Sequence, residues 1–162
     1  MILLIDGRSG SGKTELARAI GAPQLVRLDD LYPGWDGLER GSAAVATLLT
    51  TGRWQRWDWA AGEPAEWHEV DLDRPLVIEG CGALSRANRA LATRGVWVTL
   101  DDVTRKERAL AREPDYAPHW DAWAAQEDAF IAREDPASLA DEIVDGTDVA
   151  AAAARWRGLL KA

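Results

Sequence analysis

Gly7-Arg8-Ser9-Gly10-Ser11-Gly12-Lys13-Thr14 follows the apolar run 1–5 and leads into a helical pattern. It reads G-x-x-x-x-G-K-T, a phosphate-binding loop between a strand and a helix. Glycines let the backbone curl so that its N–H groups point at a phosphate, and the helix presents its positive end to the same anion. Lys13 supplies a mobile charge for the β- and γ-phosphates, and Thr14 supplies a hydroxyl ligand for Mg²⁺. The sequence therefore predicts a nucleoside triphosphate site formed by Gly7, Ser9, Gly10, Ser11, Gly12, Lys13 and Thr14.

The composition indicates one globular domain that spans residues 1–162. The chain is 47% hydrophobic, which argues against disorder, and its formal net charge of −8 offers no basic footprint for nucleic acid. No apolar run approaches the roughly 20 residues of a membrane span. A single cysteine, Cys81, fits a reducing compartment. We expect a cytoplasmic protein without nucleic-acid or membrane partners, either a monomer or a homodimer.

Five short apolar runs predict buried parallel strands, because a sheet covered on both faces needs nearly continuous hydrophobicity. The runs are 1–5, 24–28, 75–78, 96–100 and 142–144. Helical patterns alternate with them at 13–21, 42–50, 83–93, 102–112, 117–133 and 148–160. Such alternation is typical of an α/β protein. Most strands end in a carboxylate, and the carboxyl ends of parallel strands meet at one edge, where ligands of open α/β sheets bind.

The end of the second predicted strand, Leu28-Asp29-Asp30-Leu31-Tyr32, resembles the uridine kinase-like group of P-loop kinases. By that resemblance Asp29 is the base that accepts the proton of the attacking hydroxyl, Tyr32 lines the acceptor pocket, and Asp36 holds sugar hydroxyls. A carboxylate near the γ-phosphate suits this task, because phosphoryl transfer depends on positioning and charge neutralisation. The alternative is that Asp29 and Asp30 form a solvated strand end or cap a turn.

The same likeness extends to a tryptophan-rich stretch, Arg53-Trp54-Gln55-Arg56-Trp57-Asp58-Trp59. Trp57-Asp58-Trp59 resembles the Tyr-Asp-Phe of uridine kinases, so Trp57 and Trp59 are predicted to stack on a planar acceptor, and Arg53 to bind it. The alternative is that the tryptophans pack one face of a strand pair. The His and Arg that follow in the family are missing here, so the acceptor stays open.

One acidic residue and one group of arginines complete the resemblance. Glu79, at the tip of the run 76–79, resembles a Walker B acid and is predicted, with Thr14, to hold Mg²⁺. Arg105, Arg108 and Arg112 share one helical face, as expected of a lid over the triphosphate. The alternative is a solvated helix face that pairs with Glu107 and Glu113.

Two features near the C-terminal half carry further predictions. Trp120, Trp123, Glu127 and Phe130 fall at helical spacing and are interpreted as helix packing. Gly146 and Thr147 are predicted to contact adenine, by likeness to kinases of the adenylate kinase type.

The resemblance implies a three-layer P-loop sandwich with a five-stranded parallel sheet of order 2-3-1-4-5, an acceptor segment at about 30–70 and a lid at about 102–133. The predicted function is ATP- and Mg²⁺-dependent phosphoryl transfer to a hydroxyl of a small molecule. Lys13, Asp29, Arg108 and Arg112 carry the chemistry, and a nucleoside is one candidate acceptor. The alternatives are a nucleotide monophosphate, a sugar acid, an aromatic alcohol, or a nucleotide-dependent switch that is not a kinase.

Overall fold

The apolar run at the N-terminus forms the central strand of a parallel sheet. The computed structural model describes residues 1–161, and Ala162, the last residue of the predicted domain, lies outside the described residues. The strands are β1 (Ile2–Gly7), β2 (Gln24–Arg27), β3 (Arg53–Asp58), β4 (Glu63–Glu69), β5 (Leu76–Glu79), β6 (Arg94–Thr99) and β7 (Glu142–Asp145). Five of them pair in the order β2-β5-β1-β6-β7, and all neighbours are parallel. Counted along the chain without the hairpin strands, this is the expected order 2-3-1-4-5.

Helices cover both faces of the sheet. They are α1 (Lys13–Ile20), α2 (Leu38–Thr51), α3 (Arg86–Leu91), α4 (Asp102–Arg112), α5 (Trp120–Glu134), α6 (Pro136–Leu139) and α7 (Ala150–Lys161). Two 3₁₀ turns, Leu28–Asp30 and Pro114–His119, lie between β2 and α2 and between α4 and α5. In the described part of the chain, no helix combines the length and the apolar character needed to cross a membrane.

Alternation along the central strand divides the core in two. Leu3 and Ile5 point to the face covered by α1 and α7, whereas Leu4 points to the face covered by α2, α3 and α5. All three side chains are fully buried. Both faces of β1 are therefore apolar, which explains the continuous hydrophobic run.

Several helix boundaries differ from those expected. The helix predicted at 83–93 is only α3, because Ser85 ends the preceding loop as an N-cap whose Oγ accepts from Asn88 N at 3.1 Å. The helix predicted from 117 begins at Trp120, since Pro118 lies in the 3₁₀ turn before it. Helix α2 begins four residues earlier than expected, at Leu38.

The tryptophan-rich stretch forms β3 of an antiparallel hairpin with β4, outside the main sheet. The strand pair that was the alternative interpretation of this stretch is therefore present. Trp54 stacks on His68 across the two strands, with ring centroids 4.5 Å apart.

Candidate active site

The phosphate-binding loop is held open by glycines and by contacts with α4. Gly10 has φ 78°, and a Cβ at this position would overlap the carbonyl oxygen of Arg105, so only glycine fits. Lys13 begins α1 and is 7% exposed, with its Nζ donating to the Arg8 carbonyl oxygen at 3.0 Å. Burial acts to lower the pKa of Lys13, but the surrounding acidic groups outweigh it and raise that pKa. Lys13 is therefore a charged donor in a largely dry position.

Thr14 and Glu79 provide two adjacent oxygen atoms. The Thr14 hydroxyl donates to Glu79 Oε1 at 2.8 Å, and Glu79, at the end of β5, is 2% exposed. Mg²⁺ prefers oxygen ligands, keeps several waters and is usually bound through one or two protein groups plus substrate phosphates. The described residues contain no cluster of three acidic, histidine or cysteine side chains suited to a metal. Thr14 and Glu79 thus fit a Mg²⁺ ion that is shared with a bound phosphate.

Arg27 links this pair to the predicted base. In the parallel register Arg27 lies opposite Glu79, and its Nε is 3.3 Å from Glu79 Oε1. Its second nitrogen, Nη2, donates to Asp29 Oδ2 at 2.8 Å. Burial acts to lower the pKa of Arg27, but Asp29 and Glu79 raise it. One guanidinium therefore bridges the two carboxylates, offsets one of their two charges and holds Asp29 beside Thr14 and Glu79.

One cavity of about 1090 Å³ is lined by the phosphate-binding loop, by Thr14 and Glu79, and by Asp29. Trp59 closes one side of it, because its Nε1 donates to the Asp29 carbonyl oxygen at 2.8 Å. The predicted site residues that line the cavity are Ser9, Gly10, Gly12, Lys13, Thr14, Asp29, Tyr32, Trp59, Glu79, Arg108 and Arg112. The structure thus brings together members of every predicted group except the adenine contacts.

The remaining predicted residues lie outside the lining of this cavity. They are Gly7, Ser11, Asp36, Arg53, Trp57, Arg105, Gly146 and Thr147. Asp36 is exposed and faces Arg40 at 3.5 Å, and Arg53 faces Glu69 at 3.4 Å. Trp57 is half-buried within β3 and does not line the cavity, whereas Trp59, just beyond the end of β3, does.

Two of these residues support the loop from outside. Arg105 is 3% exposed, and its Nη1 donates to the Ser9 carbonyl oxygen at 3.0 Å. Gly146 packs so closely on the Ser11 carbonyl group that a Cβ would overlap it, and its own oxygen accepts from Arg108 Nη1 at 3.0 Å. Arg105 therefore braces the loop, unlike Arg108 and Arg112, which face the cavity.

Glu127 of α5 is a loop contact that the sequence interpretation placed among packing residues. It is 3% exposed; its Oε1 accepts from Ser9 N at 2.7 Å and its Oε2 from Arg8 Nε at 3.0 Å. Cys81 Sγ lies 3.3 Å from the same Oε1, and burial raises the pKa of that thiol to about 12. A carboxylate inside an otherwise apolar helical stripe was the signal for this role.

Tyr116 and Trp35, which the sequence did not single out, complete the cavity wall. The Tyr116 hydroxyl lies 2.8 Å from Ser9 Oγ, and its ring stacks on Trp35 with centroids 5.2 Å apart. Trp35 also stacks on His119, with centroids 4.1 Å apart. The turn between α4 and α5 therefore joins Trp35 to the phosphate-binding loop.

Asp6 is a buried acid directly before the loop. Its carboxylate accepts from three backbone N–H groups, those of Gly7 at 2.6 Å, Gly82 at 3.1 Å and Leu84 at 2.8 Å. Burial raises the pKa of Asp6 to about 6, against the effect of these hydrogen bonds. Asp6 ties the end of β1 to the loop after β5 and does not face the cavity.

Known proteins resemble this chain in structure. No protein-family model matches the sequence, and no curated protein does. A possible uridine kinase from Bacillus stearothermophilus matches at a TM-score of 0.58 and 19% identity, over 90% of this chain and 88% of that one. Shikimate kinase from Acinetobacter baumannii, in complex with shikimate, matches at a TM-score of 0.55 and 15% identity, over 99% of this chain and 92% of that one. The protein has the fold of P-loop kinases. An uncharacterised protein from Eubacterium ventriosum also matches, at a TM-score of 0.55 and 14% identity, over 100% of this chain and 99% of that one.

Proposed function

We propose that the protein is an ATP- and Mg²⁺-dependent phosphotransferase that acts on a hydroxyl group of a small molecule. The observation that carries this proposal is the single cavity into which Lys13, Thr14, Glu79 and Asp29 all open. A triphosphate on the loop would have its γ-phosphoryl group between these residues. Asp29 would then meet an acceptor from the other side.

The side chains divide the work of transfer as follows. Lys13 and the loop N–H groups hold the phosphates, while Thr14 and Glu79 would hold Mg²⁺, which neutralises phosphate charge when it is bound. Asp29 accepts the hydroxyl proton as the acceptor oxygen bonds to the γ-phosphorus and the bond to the ADP oxygen breaks. Arg108 and Arg112 stabilise the charge on the moving group.

The proposed kinase function also gives roles to two longer segments of the chain. We propose that 30–70 supplies the acceptor wall and 102–133 the lid, since Asp30, Trp35 and Trp59 line one part of the cavity and residues 111–116 line another. Gly146 and Thr147 remain proposed contacts of adenine. The acidic composition and single cysteine support a cytoplasmic protein without nucleic-acid or membrane partners, as monomer or homodimer.

The test is consumption of ATP with Mg²⁺ against a panel of nucleosides, nucleotide monophosphates, sugar acids, aromatic alcohols and amino alcohols. We expect acceptor-dependent turnover that Lys13→Ala abolishes. The matched control is Lys106→Ala, which removes an exposed lysine of α4 that does not line the cavity. ATP binding without turnover on any acceptor would instead favour a nucleotide-dependent switch.

Asp29→Asn tests the base. Since the amide cannot take the proton, kcat is expected to fall by about 10²–10⁴-fold. Unchanged phosphorylation by Asp29→Asn would remove Asp29 from the mechanism and leave the kinase assignment to stand on Lys13.

A further inference from the structure

The part of the cavity away from the phosphate-binding loop is walled by tryptophan. Trp35 and Trp59 both line it, with ring centroids 5.1 Å apart and planes inclined at 60°. Their exposed fractions are 36% and 40%, although both rings are large and apolar. Trp35 is also stacked on Tyr116 and on His119, so Trp59 is the more open of the two rings that form this aromatic corner. Such a corner suits a flat group or a cation, because the face of an indole ring carries partial negative charge.

Carboxylates dominate the charge beside this aromatic corner. Asp30 is half-buried, lines the cavity and has no hydrogen-bond or ion-pair partner among the described residues. It lies next to Trp59, whose indole nitrogen is bonded to the adjacent Asp29 carbonyl oxygen. Burial raises the pKa of Asp30, and the nearby cationic groups of Arg27 and Arg56 offset this effect only in part. Asp115 lines the same cavity.

The cations that line the cavity, in contrast, already have other tasks in the proposed function. The cavity-lining cations of the described residues are Lys13, Arg27, Arg108 and Arg112. Lys13 belongs to the phosphate-binding loop, and α4 carries the two lid arginines. Arg27 forms ion pairs with both Asp29 and Glu79. Among the described residues no further cation lines the cavity, so an acceptor with a phosphate or carboxylate would compete with the triphosphate for Arg108 and Arg112.

We propose that the acceptor is a hydroxyl compound that carries a positive charge, and that its cationic group is bound between Trp35, Trp59 and Asp30. This inference rests on the proposed function, because the hydroxyl must still reach Asp29. The chemical class is an amino alcohol in the wide sense, in which an ammonium group accompanies the hydroxyl that receives the phosphoryl group. The ammonium group neutralises Asp30 and packs on the exposed face of Trp59, beside Trp35.

The first experiment measures kcat/KM for sets of three compounds that share one alcohol skeleton and differ in carrying an amine, an amide or a carboxylate. We expect the amine to be preferred over the amide by about tenfold or more, and the carboxylate to be the poorest. Turnover that depends on Lys13 but prefers the amide or carboxylate overturns this inference and leaves the kinase assignment intact. Absence of Lys13-dependent turnover on any compound counts against the proposed function instead.

The second experiment measures binding without turnover, so that it stands apart from catalysis. Choline and 3,3-dimethyl-1-butanol have nearly the same shape and differ in charge, and both are titrated calorimetrically. We expect choline to bind more tightly, and Asp30→Asn to remove the difference. Asp121→Asn, an exposed carboxylate of α5 outside the cavity, should retain it. Equal affinity for both compounds, binding of neither, or an undiminished difference in Asp30→Asn overturns the inference.

Discussion

Glu127 ties α5 to the phosphate-binding loop through one buried carboxylate. Its oxygens accept from Ser9 N and Arg8 Nε, and the side chain is 3% exposed. We expect Glu127→Ala to lower the free energy of unfolding by about 3 kcal/mol, because it leaves buried polar groups of the loop without their partner. Urea unfolding measures the change.

The control for Glu127 lies one residue further along. Asp128 also pairs with Arg8, at 2.8 Å, but its side chain is 65% exposed. Asp128→Asn is expected to cost less than about 1 kcal/mol, because solvent screens exposed ion pairs. Equal losses in the two variants would show that burial of Glu127 is not what stabilises the loop.

Asp6 predicts a pH dependence of stability. Burial raises its pKa from 3.8 to about 6, so the folded state binds more protons than the unfolded state between these values. The contribution of Asp6 to the free energy of unfolding therefore decreases as the pH rises through this range. The decrease is about 3 kcal/mol in all and is complete above the folded-state pKa.

The measurement for Asp6 is a difference between two pH series of urea unfolding, wild type minus Asp6→Asn. Because the other carboxylates cancel in this difference, a downward slope between about pH 4 and pH 6 is expected from Asp6 alone. A flat difference would mean that the three N–H donors compensate burial of the charge.

At the scale of elements, α4 carries arginines with opposite tasks. Arg105 is buried under the loop, whereas Arg112 is exposed and lines the cavity. We expect Arg105→Ala to lower the free energy of unfolding by about 2 kcal/mol, because the Ser9 carbonyl oxygen loses its donor. Arg112→Ala should leave stability within about 0.5 kcal/mol and lower kcat by more than tenfold. The same loss of kcat and of stability in both variants would contradict this division.

The main sheet and the phosphate-binding loop could be predicted because both depend on local patterns. Each parallel strand is a short apolar run, and the motif from Gly7 to Thr14 fixes backbone and side-chain chemistry within eight residues. Glu79 and Asp29 come near each other because β2 pairs with β5 in parallel, with Arg27 opposite Glu79 and bonded to both carboxylates.

The contacts that long-range packing decides could not be predicted. Helical spacing placed Arg105, Arg108 and Arg112 on one face, but it could not show that Arg105 would be buried under the loop. Helical spacing alone groups Glu127 with its apolar neighbours; only its carboxylate sets it apart, and the sequence does not show that this carboxylate contacts Ser9 and Arg8. Trp57 and Trp59 were treated as a pair with one role, because the sequence does not show that β3 ends between them at Asp58.

At the scale of the whole molecule, two exposed borders of the cavity should respond to different ligands. Residues 111–115 are exposed and line the side formed by α4, whereas β3 and β4 form a separate hairpin that reaches the cavity through Trp59. Segments with exposed backbone and little packing open most readily, so ligand contacts slow their amide exchange most.

We therefore expect a non-hydrolysable ATP analogue with Mg²⁺ to slow hydrogen exchange in the loop and in 102–116, and to raise Tm by roughly 5–10 °C at a hundredfold excess over Kd. Exchange in the hairpin should slow only when an acceptor is added as well. Lys13→Ala with the same analogue is the control and should show neither change. Uniform slowing over the whole chain would argue that nucleotide and acceptor do not occupy separate halves of the cavity, because then the two borders would respond as one unit.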